Sequence, residues 1–76
     1  MNIDITKEST IEYIESIYAL SISYLKNNTN IELKNLLKEL ELIEDKIRIC
    51  DDIEVLNNYK NILNSLIYRI EGIINE

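Results

Sequence analysis

The sequence feature that most constrains the fold is a regular set of apolar residues in the segment 33–50. Its members recur at alternating steps of three and four residues: Leu33, Leu36, Leu40, Ile43, Ile47 and Cys50. Because an α-helix completes one turn in about 3.6 residues, this spacing places all six side chains along one side of a helix. We therefore predict a helix in this segment, with these six residues, the central stripe, facing the core.

Three similar short motifs divide the chain into helices. Each has a capping residue followed three positions later by glutamate, and the pairs are Ser9 with Glu12, Thr29 with Glu32, and Asp51 with Glu54. In such a capping box the side-chain oxygen of the first residue accepts a hydrogen bond from the first helical turn, and the glutamate reaches back to the cap. The motifs predict helices over residues 10–26, 30–49 and 52–74.

The short connections between these segments favour antiparallel neighbours, so the predicted fold class is an all-α, antiparallel three-helix bundle. Residues 1–8 are predicted to be a partly ordered N-terminal tail, and residues 9–76 a single helical domain. The alternative is a long helical hairpin in which helices two and three are continuous. On one straight helix the apolar stripes of these two segments would lie about 130° apart, so both could not face the same partner. This favours a turn near Asp51.

The predicted first helix has two apolar stripes instead of one. The first stripe contains Ile11, Ile14, Tyr18, Ile22 and Leu25, and the second contains Tyr13, Ile17, Leu20 and Tyr24. Only Ser21 separates them, so the apolar arc is wider than one intramolecular neighbour would cover. We therefore predict that the second stripe is a protein interface. The alternative is that it completes the core of the domain itself.

The other two helices have different apolar patterns. The third helix has one broad stripe with the members Leu56, Tyr59, Leu63, Leu66, Ile70 and Ile73, flanked by Val55, Ile62, Ile67 and Ile74. The second helix has a weaker stripe opposite the central one, formed by Ile31, Leu42 and Ile49. A chain of 76 residues buries only about 60% of its unfolded surface, so additional support from oligomerisation or from very regular helix packing is expected.

The residue inventory argues against a reaction centre. The chain has one cysteine and no histidine, which excludes an internal disulfide and the usual zinc and Ser/His/Asp sets. The acidic residues Glu39, Glu41, Glu44 and Asp45 lack the spacing of a calcium loop and predict a solvated helix face. Cys50 is interpreted as a small core residue, because it ends the central stripe. We expect no enzymatic activity, no cofactor and no metal.

Charge and hydropathy restrict the partners. The net charge of −6 argues against direct binding of nucleic acid, which needs clustered Lys and Arg. The longest uncharged run, residues 16–25, is far shorter than the roughly 20 residues that span a bilayer, so no membrane association is expected. The lone cysteine and the acidic, hydroxyl-rich first ten residues predict a cytoplasmic protein without a signal peptide.

The functional hypothesis is a small acidic protein-binding module that acts as an inhibitor, regulator or adaptor by occupying a partner surface. Its small size, its acidity and an Ile- and Asn-rich composition typical of AT-rich genomes also suit a phage or mobile-element inhibitor of a host enzyme. Mimicry of nucleic acid by the acidic surface is a less favoured version, because much of the acidic charge lies at predicted helix starts, where carboxylates complement the helix dipole. The alternatives are a structural subunit that self-assembles into a bundle or coiled coil, and an antitoxin or immunity protein.

Overall fold

The computed structural model describes residues 3–75, and within this range all regular secondary structure is helical. Helix α1 spans Ile3–Asn27, α2 spans Ile31–Ile49 and α3 spans Ile53–Ile74. Each helix contacts the other two, so the prediction of an all-α protein with three mutually packed helices is confirmed. The break between α2 and α3 rules out the alternative of one continuous helix.

Helix α1 begins seven residues earlier than predicted, because residues 3–8 of the expected tail are helical. Thr10 lies inside the helix, where its hydroxyl donates a hydrogen bond to the carbonyl of Thr6 at 2.7 Å. A threonine that bonds back to the preceding turn is compatible with a helix interior. Ile3 packs against the core, which supports the added turns. The motif at Ser9 was therefore wrong as a helix start; the first two residues of the tail lie outside the described range.

The other two helices begin one residue later than predicted. The N-cap of α2 is Asn30, whose side chain accepts a hydrogen bond from the N–H of Leu33 at 2.8 Å. The N-cap of α3 is Asp52, whose carboxylate accepts two first-turn N–H bonds at 2.9 and 3.3 Å. Thr29 and Asp51, the predicted caps, precede these positions. In both pairs either residue can cap a helix, so the motif alone did not determine at which residue the helix begins.

The core lies between the three helices and contains the whole central stripe. All six of its residues are buried, together with Leu37, which the stripe did not include. The predicted stripe of α3 is buried as well, except that Tyr59 is only partly covered. Its buried members, joined by the flanking Ile67, are Leu56, Leu63, Leu66, Ile67, Ile70 and Ile73.

The buried line of α1 runs between the two apolar stripes predicted for it. It consists of Thr10, Ile14, Ile17 and Ser21, at steps of four, three and four residues. Ser21, which was interpreted as the polar gap between the stripes, is fully buried and donates a hydrogen bond to the carbonyl of Ile17 at 2.8 Å. A small side chain that is bonded within its own helix can be buried without an unsatisfied polar group. The buried line of α1 therefore includes a serine at its C-terminal end.

Candidate protein-binding surface

The predicted interface on α1 is divided between the core and the surface. Ile17 is only 6% exposed and belongs to the core, and Tyr24 packs against the core while partly exposed. Tyr13 and Leu20 remain exposed, about 10.5 Å apart along the helix axis. For Ile17 the structure corrects the expectation of a surface position. The reason is that the side of α1 that faces α2 and α3 lies between its two apolar stripes. Half of the second stripe therefore faces the core.

A more continuous apolar surface lies on α2 and α3. Leu42 and Ile49 on α2 are 63% and 84% exposed, and Val55 and Ile62 on α3 are 39% and 52% exposed. We call these four residues the α2–α3 patch. Because they project from two adjacent helices, they form one surface, unlike scattered single apolar residues, which are normal on any protein.

Two adjoining shallow grooves connect the members of the α2–α3 patch. The groove beside Leu42 and Ile62 has a volume of about 270 Å³, and the groove beside Ile49 and Val55 one of about 200 Å³. Lys46 and Tyr59 line both grooves and link them. Since small-molecule sites usually enclose about 300–1,000 Å³ and these grooves are open, their shape suits side chains of a packed helix better than a small ligand.

Asp51 and Asp52 line the groove beside Ile49, and the groove beside Leu42 contains two charged residues that have no ion-pair partner among residues 3–75. They are Glu39 and Lys46, which line the groove beside Leu42. At the far end of the same helix pair, Arg69 and Glu32 approach each other to 3.7 Å. The patch is therefore an apolar surface with one carboxylate and one ammonium group beside Leu42 and two further carboxylates near the connection between α2 and α3.

The side of α2 that faces α1 is polar and internally paired. Tyr18 donates a hydrogen bond to the Glu41 carboxylate at 2.8 Å. Arg48 bridges the two helices, with contacts of 3.3 Å to Glu15 and 2.8 Å to Glu44. The second of these contacts confirms the favourable i, i+4 pair that the sequence contains. These acidic side chains are thus engaged in contacts between α1 and α2.

Tyr18 gives this polar side a small dependence on pH. Its hydrogen bond to Glu41, its burial and the negative charge of Glu41 and Glu44 together raise the pKa of the phenol above its ordinary value of about 10. A raised folded-state pKa favours the protonated phenol in the folded protein. Its contribution to stability is therefore complete below the unfolded-state pKa and is lost as pH rises through the higher folded-state pKa.

We expect Tyr18→Phe to lower the free energy of unfolding at pH 7 by less than about 1 kcal/mol, because the hydrogen bond is partly exposed. The variant should also lose less stability than the parent between pH 9 and about pH 11. Urea titrations at several pH values measure both effects. An identical pH dependence in the two proteins would contradict the assignment of this tyrosine.

Cys50 is a free thiol that is buried at the C-cap of α2, as its place in the central stripe predicts. Its Sγ donates a hydrogen bond to the carbonyl of Asp52 at 3.3 Å. The thiol thus contributes to the connection between α2 and α3. Its position explains why a cysteine can end an apolar stripe: it fills core space and also bonds the backbone of the following turn.

Sequence reasoning found the parts of the α2–α3 patch but did not join them. The weaker stripe of α2 contains Leu42 and Ile49, while Val55 and Ile62 were assigned to the flanks of a broad face on α3. The missing step was to consider the two helices together. Consecutive helices with a short connection lie side by side, so an exposed apolar stripe on each of them can form one surface. Considering both helices together would have favoured this surface over the one on α1.

Within residues 3–75, no helix combines the length and apolar character that crossing a membrane requires. The same part of the chain contains no group of three or more Cys, Asp or Glu side chains arranged to hold a metal ion. No known protein family, curated protein sequence or solved structure matches the chain. Its function is therefore inferred from the chemistry of its own surface.

Proposed function

We propose that this protein is a small acidic helical module that binds another polypeptide through the α2–α3 patch. The observation that carries the proposal is the position of four exposed apolar side chains on two adjacent helices: Leu42, Ile49, Val55 and Ile62. Burying such side chains against a partner removes apolar surface from water, which is the main favourable term in protein association. Side chains of a partner can pack into the grooves between these residues.

We also propose that neighbouring helices run in opposite directions, as the three-residue connections 28–30 and 50–52 favour. Contacts between neighbouring helices support this arrangement. Glu32, at the start of α2, lies 3.7 Å from Arg69 near the end of α3. Arg48, near the end of α2, lies 3.3 Å from Glu15 at the midpoint of α1, and Glu41, earlier in α2, accepts a hydrogen bond from Tyr18, later in α1. With this order, the α2–α3 patch surrounds the end of the bundle at which α2 connects to α3.

In this role the protein acts by occupying a surface, as an inhibitor, regulator or adaptor does, and it needs neither a reaction centre nor a cofactor. A phage or mobile-element inhibitor of a host enzyme remains one specific form of this proposal, and an antitoxin or immunity protein is another. We propose a cytoplasmic location, which the free thiol of Cys50 supports because reduced cysteines persist in that compartment. A structural self-assembling subunit is the second candidate function.

Affinity capture from cells that express the protein naturally tests the proposal. The wild-type protein is compared with Ile62→Glu, which places a charge in the α2–α3 patch, and with Leu20→Glu, which places one on an equally exposed position of α1. We expect partners, including further copies of the chain, to be retained by the wild type and by Leu20→Glu and to be lost from Ile62→Glu. Equal recovery by all three proteins, or selective loss with Leu20→Glu, would contradict the proposed surface.

A further inference from the structure

On the basis of the proposed binding role of the α2–α3 patch, we infer that its occupant is a second copy of this chain. In the proposed dimer, α2 packs on α2 of the other copy in the opposite direction, and α3 packs on α3 in the same way. The two-fold axis lies at the level of Leu42 and crosses both helices. The same surface is therefore used by both copies, as in most symmetric dimers.

The charges beside Leu42 are arranged for this symmetry. Glu39 and Lys46 are seven residues apart, so they lie on nearly the same side of α2 and about 10.5 Å apart along its axis. Leu42 lies almost midway between them. When two copies of such a helix meet in opposite directions at this leucine, Glu39 of each copy faces Lys46 of the other. Two equivalent ion pairs result, and they use Glu39 and Lys46, neither of which has an ion-pair partner within residues 3–75.

The α3 residues that line the groove beside Leu42 carry no charge, which is compatible with the dimer. Leu42 and Ile62 line one groove, which places them at the same height along the bundle. The α3 residues of that groove are Tyr59, Ile62 and Leu66. Packing α3 on its copy therefore brings together Ile62 and the partly buried Tyr59, while Leu66 is buried in the core. Aromatic and apolar residues at the centre of an interface, with charges beside them, are typical of stable association.

The size of the surface is compatible with a stable dimer. The molecule is 40 Å long and 16–18 Å across, so one long face is of the same order as the roughly 800 Å² that each partner buries in a standard interface. Domains of this length bury a smaller fraction of their unfolded surface than larger domains do and are often stabilised by oligomerisation. A second copy supplies that support without requiring a different partner.

Long-range repulsion between two acidic chains is limited at this surface. The net charge is −6; Glu15, Glu41 and Glu44 lie in the region between α1 and α2, and Asp51 and Asp52 lie in the groove beside Ile49, away from the axis at Leu42. At physiological ionic strength the Debye length is about 8 Å, which screens charges that lie far from the interface. Measurements of association should therefore be made near 0.15 M salt, where the local pairs around Leu42 decide the outcome.

Sedimentation equilibrium of the full chain from about 1 μM to about 1 mM tests the dimer, because this range covers dissociation constants of weak to moderate strength. We expect a concentration-dependent rise from the 9.0 kDa monomer to twice that mass. Leu42→Glu should weaken association at least about 100-fold, since it places two carboxylates at the symmetry axis. Leu20→Glu is the matched control on α1 and should associate like the wild type. Circular dichroism verifies that both variants remain helical.

A charge exchange distinguishes a second copy from any other occupant. Glu39→Lys and Lys46→Glu should each weaken the dimer, because each puts like charges opposite one another twice. The Glu39→Lys variant is informative because it makes the net charge less negative. If repulsion between the whole chains controlled association, this variant would associate more strongly than the wild type. Combining both substitutions restores the two ion pairs with reversed polarity and leaves the net charge unchanged. We expect the double variant to associate within about threefold of the wild type.

Two results would overturn the dimer. One is a wild-type chain that stays at 9.0 kDa across the whole concentration range. The other is a double variant that associates as weakly as the two single variants. If the purified chain is monomeric but Ile62→Glu still loses a captured partner, the inferred dimer fails while the proposed binding function stands. If the patch substitutions change neither self-association nor capture, the proposed function fails as well.

Discussion

Replacing Ile17 with glutamate is expected to unfold the protein. Ile17 is 6% exposed and lies in the core that the three helices share. A carboxylate placed there has no cationic partner in the core, and burying an unpaired charge costs several kcal/mol. Since small domains have only about 5–15 kcal/mol of stability, most of the folded population should be lost. Far-ultraviolet circular dichroism and thermal melting measure the effect.

Leu20→Glu is the matched control for this experiment, because it makes a similar change three residues further along the same helix. Leu20 is 56% exposed, so we expect its free energy of unfolding to change by no more than about 0.5 kcal/mol. The comparison distinguishes the buried residue Ile17 from the exposed residue Leu20, which were predicted to lie on one surface. A fully helical, cooperatively melting Ile17→Glu protein would contradict the assignment of Ile17 to the core.

Leu40→Ala is expected to lower the free energy of unfolding by about 2–5 kcal/mol. Leu40 is completely buried near the middle of the central stripe, so truncating it removes apolar contacts and leaves a cavity among residues from all three helices. The range depends on how far the surrounding side chains can close that cavity. Chemical denaturation at a fixed protein concentration gives the value. Concentration is held constant because dimerisation adds to the apparent stability.

Leu42→Ala provides the control on the same helix, two residues away and on the exposed side. At low protein concentration, where the chain is monomeric, we expect it to change stability by less than about 0.5 kcal/mol. At high concentration the loss should increase, because the substitution also weakens the inferred interface. Equal losses for the two alanine variants at low concentration would show that the central stripe was placed on the wrong side of α2.

The strongest sequence pattern was also the most reliably placed. The central stripe predicted the buried side of α2 at all six positions, because three-and-four spacing allows only one helical side to collect these residues. The single broad stripe of α3 was placed correctly for the same reason. Where a helix had one dominant apolar side, burial followed directly from the period of the helix.

Helix α1 shows why the same reasoning was incomplete. Its apolar residues cover more than half of the circumference, so the period alone did not determine which part faces inward. The packing of α2 and α3 against α1 determines which side is buried, and that side includes Ser21. That choice depends on side-chain size and on a hydrogen bond to the carbonyl of Ile17, neither of which hydrophobic spacing records.

The helix starts show a second limit, since capping motifs identify a region more firmly than a residue. The adjacent pairs at 29–30 and 51–52 each offer two capping side chains, and the second member was used in both cases. At the N-terminus, tertiary contact of Ile3 with the core extended α1 past the Ser9 motif. The binding surface was missed for a related reason, because it belongs to two helices and neither one contains the whole pattern.

Disulfide trapping tests the arrangement of the two copies most directly. A cysteine at position 42 (Leu42→Cys), in a chain whose native thiol has been removed by Cys50→Ala, should lie opposite its counterpart at the symmetry axis. A disulfide needs Cα atoms within about 7 Å of each other, so the dimer predicts rapid and nearly complete covalent linkage on mild oxidation. Leu20→Cys in the same background should remain monomeric on a non-reducing gel. Absence of linkage at position 42, or equal linkage at both positions, would contradict an interface centred on the α2–α3 patch.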